Sequence, residues 1–389
     1  MRSERASAHD EPAAQANRLL VVAPNWLGDA VMATSAAALL RRRRPGWWLG
    51  GLVKPAVAQL YEGLDLFDEL HVEPRAGMMG PKRAAATVRP RRYRQALLLT
   101  NSFSTALVAR LAGIPRRVGF NRDGRGLLLT DPVAPTRLRD LPEFAEAIAK
   151  GSASPERFAP VSAHRAYLQL ACALLEEPLP EDPPPLQLAL SGAQRRETDQ
   201  LLARAGLADG PFVALCPGAS KALKRWPAER FGAVAAALCS KRGWAAAFVG
   251  SPQERDVVAQ ARDAAIAQGL APQRAVDLAQ LGLTVGSLKG VLGCAALLVA
   301  NDTGPRHIAA AMNTPAVVVF GPTDPRWTTI PAPLEARVLA DPDLPRHLVA
   351  DDHPRRCAVE RVAVDRVLTA AEELLTRAGA PSGASGARP

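Results

Sequence analysis

Asn301-Asp302-Thr303-Gly304, followed by Pro305-Arg306-His307, interrupts an apolar run at Ala295 to Ala300 before a second begins at Ile308. A buried strand feeding a helix has this pattern, and the polar turn lies at the strand's carboxyl end. Open α/β sheets bind ligands there, and a helix starting at that point aims free N–H groups and a partial positive charge at an anion such as a phosphate. His307 follows Thr303 by one helical turn, so both can face one ligand. Two further turns of the same kind come earlier. Cys216-Pro217-Gly218-Ala219-Ser220-Lys221-Ala222-Leu223-Lys224-Arg225-Trp226-Pro227 joins backbone and Ser220 donors to Lys221, Lys224 and Arg225, a chemistry suited to phosphates, with Pro227 expected in the first turn of the next helix. Gly250-Ser251-Pro252-Gln253-Glu254 supplies a carboxylate that either caps its helix or accepts from a ribose diol. Near the start of the chain, Pro24-Asn25-Trp26-Leu27-Gly28-Asp29 follows another apolar strand. Asp29 either complements the helix start, which spacing alone favours, or acts as a general base toward a substrate hydroxyl.

The elements that must position these turns alternate. Apolar strands are expected at Leu19 to Ala23, Trp48 to Val53, Arg94 to Thr100 and Arg116 to Phe120, with helices at Asp29 to Leu40 and at Phe103 to Ala112, the second closed by Gly113. A second series has strands at Phe212 to Cys216, Ala245 to Gly250, Arg274 to Leu278, Ala295 to Ala300 and Ala316 to Phe320. Such βα alternation predicts parallel sheets covered by helices. Between the series, Glu177-Pro178-Leu179-Pro180-Glu181-Asp182-Pro183-Pro184-Pro185 admits neither helix nor central strand. The expected organisation is an unstructured leader at 1–17, a first domain at 18–176, a Pro-rich linker at 177–190, a second domain at 191–360, a terminal helix at 361–377 and an unstructured tail at 378–389. The ligand cleft is expected between the domains.

Composition narrows the function classes. The 389 residues are 48% hydrophobic, yet contain no apolar run long enough for a transmembrane helix and no signal-peptide core, so a cytoplasmic globular protein is expected. Five scattered cysteines without a C-x-x-C pair read as reduced thiols. The net charge of +10 has two readings: an Arg-rich coding habit, or attraction to an acidic partner such as nucleic acid, anionic lipid or a phosphorylated sugar. Arg41 to Arg44, Arg89 to Arg94, and Arg116, Arg117 and Arg122 concentrate that charge in the first domain. Basic residues occur without interleaved aromatics, so no nucleic-acid partner is expected. H-E-x-x-H, G-x-S-x-G, G-x-G-x-x-G and the P-loop pattern are absent, which removes the common metalloprotease, hydrolase, dehydrogenase and P-loop readings.

In order and spacing, Pro24-Asn25-Trp26-Leu27-Gly28-Asp29, Leu99-Thr100-Asn101-Ser102-Phe103, Cys216-Pro217-Gly218-Ala219, Lys224-Arg225-Trp226-Pro227, Asn301-Asp302-Thr303-Gly304 with His307, and Gly321-Pro322-Thr323-Asp324-Pro325 together resemble the ADP-heptose:lipopolysaccharide heptosyltransferases, most closely the type II enzymes. The likeness runs from about residue 18 to 376. It implies a GT-B architecture, two Rossmann-like doubly wound domains with an interdomain cleft, the acceptor bound mainly by the first domain and the nucleotide sugar by the second. The terminal helix would cross back to the first domain. By position, Asp29 matches the catalytic base and Lys224 the lysine at the donor phosphate or sugar. Ser220, Glu254, Leu283, Asp302, Thr303, Gly304 and His307 fall at the donor, Glu254 toward the ribose and Leu283 toward the adenine. Asn25, Asn101, Ser102 and Arg122 fall on the acceptor side.

The implied reaction is inverting transfer of L-glycero-D-manno-heptose from ADP-heptose to heptose I of the lipopolysaccharide inner core, at the cytoplasmic face of the inner membrane, with no cofactor required and assistance by a divalent cation left open. A related transferase with another donor or acceptor is the nearest alternative, followed by an epimerase or hydrolase of the same architecture. A non-catalytic nucleotide-sugar-binding or nucleic-acid-binding protein is the alternative of another class. Two departures stand out. The stretch 340–361 keeps only part of the Cys/His-rich segment of many relatives, and Arg306 replaces the Ser or Leu often found after the glycine-proximal turn.

Overall fold

The computed structural model describes residues 17–73, 77 and 79–379. The expected leader and tail lie almost wholly outside these residues. The chain divides into two compact units between Leu186 and Gln187, within the Pro-rich stretch.

In the first unit, strands β1 (Arg18–Val22), β2 (Trp48–Val53), β3 (Glu69–Val72), β4 (Gln95–Leu98), β5 (Arg116–Phe120) and β6 (Asp131–Val133) form one sheet in the order β3-β2-β1-β4-β5-β6. All of its pairings are parallel. The central strands are buried on both faces, as their unbroken apolar runs require. Helix Leu27–Arg43 is buried at Gly28 and continuously from Ala30 to Leu40, with helix Ala163–Leu175 packed along it and against β4 and β5. Helix Phe103–Leu111 is followed by Gly113 at φ +78°, a left-handed geometry that ends it.

The second unit repeats the winding. Strands β7 (Phe212–Cys216), β8 (Ala245–Phe248), β9 (Ala275–Asp277), β10 (Leu297–Asn301), β11 (Ala316–Phe320) and β12 (Glu335–Leu339) take the order β12-β11-β10-β7-β8-β9, again all parallel. Counted within its own unit, each sheet has the order 3-2-1-4-5-6, the doubly wound arrangement expected from the βα alternation. The strand order reverses between β1 and β4 in one sheet and between β7 and β10 in the other. Those reversal points open the crevices where such folds take ligands.

One expectation is corrected: Pro227 stands just before helix Ala228–Arg242 as its N-cap rather than inside its first turn. Within the second unit, the buried residues Val367, Ala371, Leu374 and Leu375 of the terminal helix, Val364–Arg377, join the core, with β11, β12 and helix Ala228–Arg242 as neighbours. The apolar stripe of the terminal helix is filled by the nearest exposed sheet flank, leaving the polar side outward.

Candidate active site

The loops after β7 and β10 hold a dense set of polar contacts at the reversal point of the second unit. Asn301 ends β10 with no solvent exposure, and its side chain reaches the facing loop. Its Nδ2 donates to the carbonyls of Pro217 at 2.9 Å and Gly218 at 3.2 Å. Asp302 follows, 6% exposed. Its Oδ2 accepts from Nζ of Lys224 at 3.0 Å, and its Oδ1 from Nη1 of Arg306 at 2.8 Å and Oγ1 of Thr328 at 3.1 Å. Burial alone would raise this carboxyl group; Arg306 foremost, then Lys224 and His307, bring it down to about 2.

Thr303 is the N-cap of helix Gly304–Ala311 without a side-chain capping bond; its hydroxyl donates to the carbonyl of Asn301 at 3.3 Å. Pro305 has no N–H, so Gly304 and Arg306 carry the first-turn donors. His307 is buried, and its Nδ1 has no hydrogen-bond partner. Burial and the neighbouring Arg306 push its imidazole down to about 3, so the ring is neutral at physiological pH. A neutral ring beside an uncapped helix start and an ammonium makes a site for a polyanion.

Glu254 comes next to this set from β8, the neighbour of β7. Its Oε2 accepts from the Ser251 N–H at 2.9 Å and the Ser251 hydroxyl at 2.7 Å, the capping arrangement left open by the sequence. The same carboxylate lies against Gly218, where any side chain would collide with it. Leu283, half-buried, sits on the loop between β9 and helix Val285–Cys294. Ser220 and Lys221 are exposed at the rim of the loop after β7.

Segment 321–328 braces Asp302 from behind through Thr328. Asp324 is buried, accepts from the Arg326 and Ala350 N–H groups at 3.0 Å each, and receives the Arg326 guanidinium. Arg326 also donates to the carbonyls of Arg346 and Leu348 at 2.7 and 2.6 Å. Gly321 lies so close to the Cys357 carbonyl that a side chain there would clash. The partial Cys/His stretch is therefore packed onto the 321–328 loop.

In the first unit, Asp29 lies in the first turn of its helix, half-buried, and Oδ1 accepts from the Tyr167 hydroxyl at 3.1 Å. Tyr61 underpins the same turn, donating to the Ala30 carbonyl at 2.8 Å. Burial and the Asp29 charge push both phenols well up, so each remains a donor. Asn25 and Trp26 are exposed ahead of Asp29, with Trp26 69% accessible. Asn101 and Ser102 follow β4, directly across the reversal point; Ser102 caps helix Phe103–Leu111 by accepting from the Thr105 N–H at 3.3 Å. Arg122 lies 4.2 Å over the Phe158 ring.

Sequence reasoning missed Arg125. Fully buried, it donates to the carbonyls of Phe120, at 2.9 Å, and Thr100, and to Oδ1 of Asn101 at 3.3 Å, tying the ends of β4 and β5. Burial lowers its guanidinium to about 10. Its one signal was the pair of glycines around it, Gly124 and Gly126, in a loop otherwise rich in surface charge. Many other arginines of this unit are engaged internally: Arg41 pairs with Asp68, Arg43 and Arg44 with Glu177, Arg91 with Glu69, and Arg116 with Asp131 and Glu176.

Among the described residues no group of three or more His, Cys, Asp or Glu is arranged to hold a metal ion. All five cysteines are free thiols.

Comparison with known proteins bears on this geometry. Residues 156–341 match the sequence model of glycosyltransferase family 9 (heptosyltransferase). The chain is 27% identical over 336 residues to lipopolysaccharide heptosyltransferase 2 of Escherichia coli K12, spanning 83% of this chain and 87% of that protein. It is 28% identical over 319 residues to lipooligosaccharide heptosyltransferase 2 of Haemophilus influenzae, spanning 80% and 85%. The solved structure of the E. coli ADP-heptose heptosyltransferase II superposes with a TM-score of 0.71 at 24% identity, covering 93% of this chain and all of that one, which shows a shared GT-B fold. With two doubly wound sheets and polar constellations at both reversal points, the chain carries a glycosyltransferase family 9 (heptosyltransferase) domain over residues 156–341 and is similar along most of its length to type 2 heptosyltransferases.

Proposed function

We propose that the protein transfers L-glycero-D-manno-heptose from ADP-heptose to heptose I of the lipopolysaccharide inner core, with inversion at the anomeric carbon. The observation that carries this reading is the Lys224–Asp302 pair beside the uncapped start of helix Gly304–Ala311, which brings an ammonium and free helix N–H groups together in the family 9 domain. Relatives named for heptosyltransferase 2 over most of their length supply the sugar and acceptor class.

In this reading the second unit holds the donor. Lys224 and the helix N–H groups meet the diphosphate, Glu254 meets the ribose with the oxygen its capping bonds leave over, and Leu283 flanks the adenine. The first unit supplies Asp29. Its carboxylate takes the acceptor hydroxyl proton as that oxygen forms a bond to the anomeric carbon, while the bond to the ADP oxygen breaks on the opposite face and ADP leaves with the electron pair. Negative charge grows on ADP in the transition state, where the ammonium and helix dipole act most strongly. Asn25, Asn101, Ser102 and Arg122 border the acceptor side, with Arg125 fixing Asn101. Because that acceptor is lipid-linked, we place the reaction at the cytoplasmic membrane face. No helix among the described residues is long and apolar enough to cross a membrane.

The test is incubation with ADP-heptose and heptose-I-terminated core, followed by mass spectrometry. Addition of one heptose is expected, with Asp29→Asn losing roughly 10²- to 10⁴-fold in turnover while still binding ADP. Transfer from another nucleotide sugar only, or to another core sugar only, would replace the substrate assignment.

A further inference from the structure

Asp302 is held by two cations of different character. Arg306 has no solvent exposure, and beyond Asp302 its Nη1 donates to Thr328 at 2.9 Å while Nε and Nη2 grip the two oxygens of Glu335 at 2.6 and 3.0 Å. Its guanidinium also lies 4.8 Å from the centre of the Phe320 ring. An arginine bound on three sides and stacked on a fourth cannot turn to a ligand. Lys224 can: its side chain is 17% exposed, and it holds Asp302 by an Oδ2 contact at 3.0 Å and a main-chain carbonyl contact at 3.2 Å.

A buried carboxylate deprived of its counter-charge is strongly disfavoured. An ammonium that is to leave Asp302 for a phosphate therefore needs a second cation to stay behind. We propose that Arg306 is this fixed counter-ion, and that Lys224 is an exchangeable one, passing from Asp302 to the ligand's diphosphate on binding and returning on release. This rests on the donor reading above. Arg306 is a positioning residue and touches no substrate. Glu335 balances it and is itself paired with Arg337 at 2.6 Å. The charged or titratable groups around Asp302 are Arg306 and His307 from the helix that follows it, Lys224 from the loop after β7, and, through Arg306, Glu335 from β12.

The experiment compares ADP binding by calorimetry, in buffers of differing ionisation enthalpy, for the wild-type protein, R306K and the charge-balanced double variant R306M/E335Q. Wild type and R306K keep a cation on Asp302 and should show the same proton exchange. In R306M/E335Q, ADP draws Lys224 off an otherwise unpaired carboxylate. Binding should weaken about tenfold and take up additional protons relative to wild type, so that affinity recovers as pH is lowered. A purely structural role for Arg306 would not produce that proton uptake. If the double variant does not fold, K224M decides: with Arg306 still on Asp302, it should lose ADP affinity about tenfold while Tm falls by less than about 4 °C. Wild-type affinity and proton exchange in R306M/E335Q, or a collapse of Tm in K224M, overturns the exchange while leaving the donor site standing. Failure of the wild-type protein to bind either ADP or inorganic pyrophosphate overturns both.

Discussion

Oδ1 of Asn301 accepts the backbone N–H of Trp226 at 3.0 Å, so one side chain joins the end of β10 to a loop 75 residues earlier. With its two bonds to the Pro217 and Gly218 carbonyls, it closes the reversal point of the second sheet from within. Trp226 is itself fully buried, its Nε1 donating to the Val362 carbonyl at 2.9 Å.

Asn301→Ala strands one buried N–H and two carbonyls. A loss of about 3 kcal/mol in unfolding free energy is expected, measured by denaturant titration, together with weaker ADP binding as the Lys224 loop loosens. Retained stability would show that water replaces the side chain without cost.

Tyr167→Phe removes the donor to Asp29. A carboxylate that loses a hydrogen bond is protonated more readily, so the acid limb of the turnover profile should move to higher pH with the donor KM unchanged. An unmoved acid limb would detach Tyr167 from the reaction.

His307 gives the pH dependence its sign. Its folded value, about 3, lies below the ordinary 6.5, so between these limits the unfolded chain binds the proton and the folded chain does not. Stability should therefore fall as pH drops below 6.5, by up to about 1.4 kcal/mol per pH unit from this residue. His164, lowered by burial to about 4, adds a similar slope over a shorter window. Asp302 acts only further down, its contribution fading from its ordinary 3.8 toward about 2. His307→Asn should flatten the curve between pH 6.5 and 4, read from Tm across buffers; an unchanged slope would contradict the neutral buried ring.

Gly218→Ala forces its methyl into the Glu254 carboxylate. A cost of about 1 to 3 kcal/mol is expected, with loss of donor affinity. Glu254→Ala clears that space, so the double variant should cost clearly less than the sum of the singles in a double-mutant cycle. Strict additivity would mean that the two residues do not share the space.

The central strands and the polar turns at their carboxyl ends were legible because apolar runs and Gly, Pro and Asp punctuation are local signals. β3, β6 and β12 were not. All three are half-solvated edges of four, three and five residues, and β6 contains Pro132, tolerable only where a ladder partner is missing. Asp29, Lys224, Asp302 and His307 could be picked out by type and position. Arg306 could be noticed only as an oddity, since its burial depends on Glu335, 29 residues further along, and on Phe320 beneath it. The two ends of the Gly218–Glu254 contact likewise come from neighbouring strands. For the terminal helix, the spacing of apolar residues marked a buried face but carried no information about which core would receive it.

That last helix sets an order of events during synthesis. The first sheet has all six strands by Val133, before any strand of the second has been made. The second sheet has its strands by Leu339, yet Val367, Ala371, Leu374 and Leu375 still have to arrive to cover it. On a ribosome, where units fold as they emerge, the second unit would reach its mature form last, with the flank of β11 and β12 uncovered until the helix arrives.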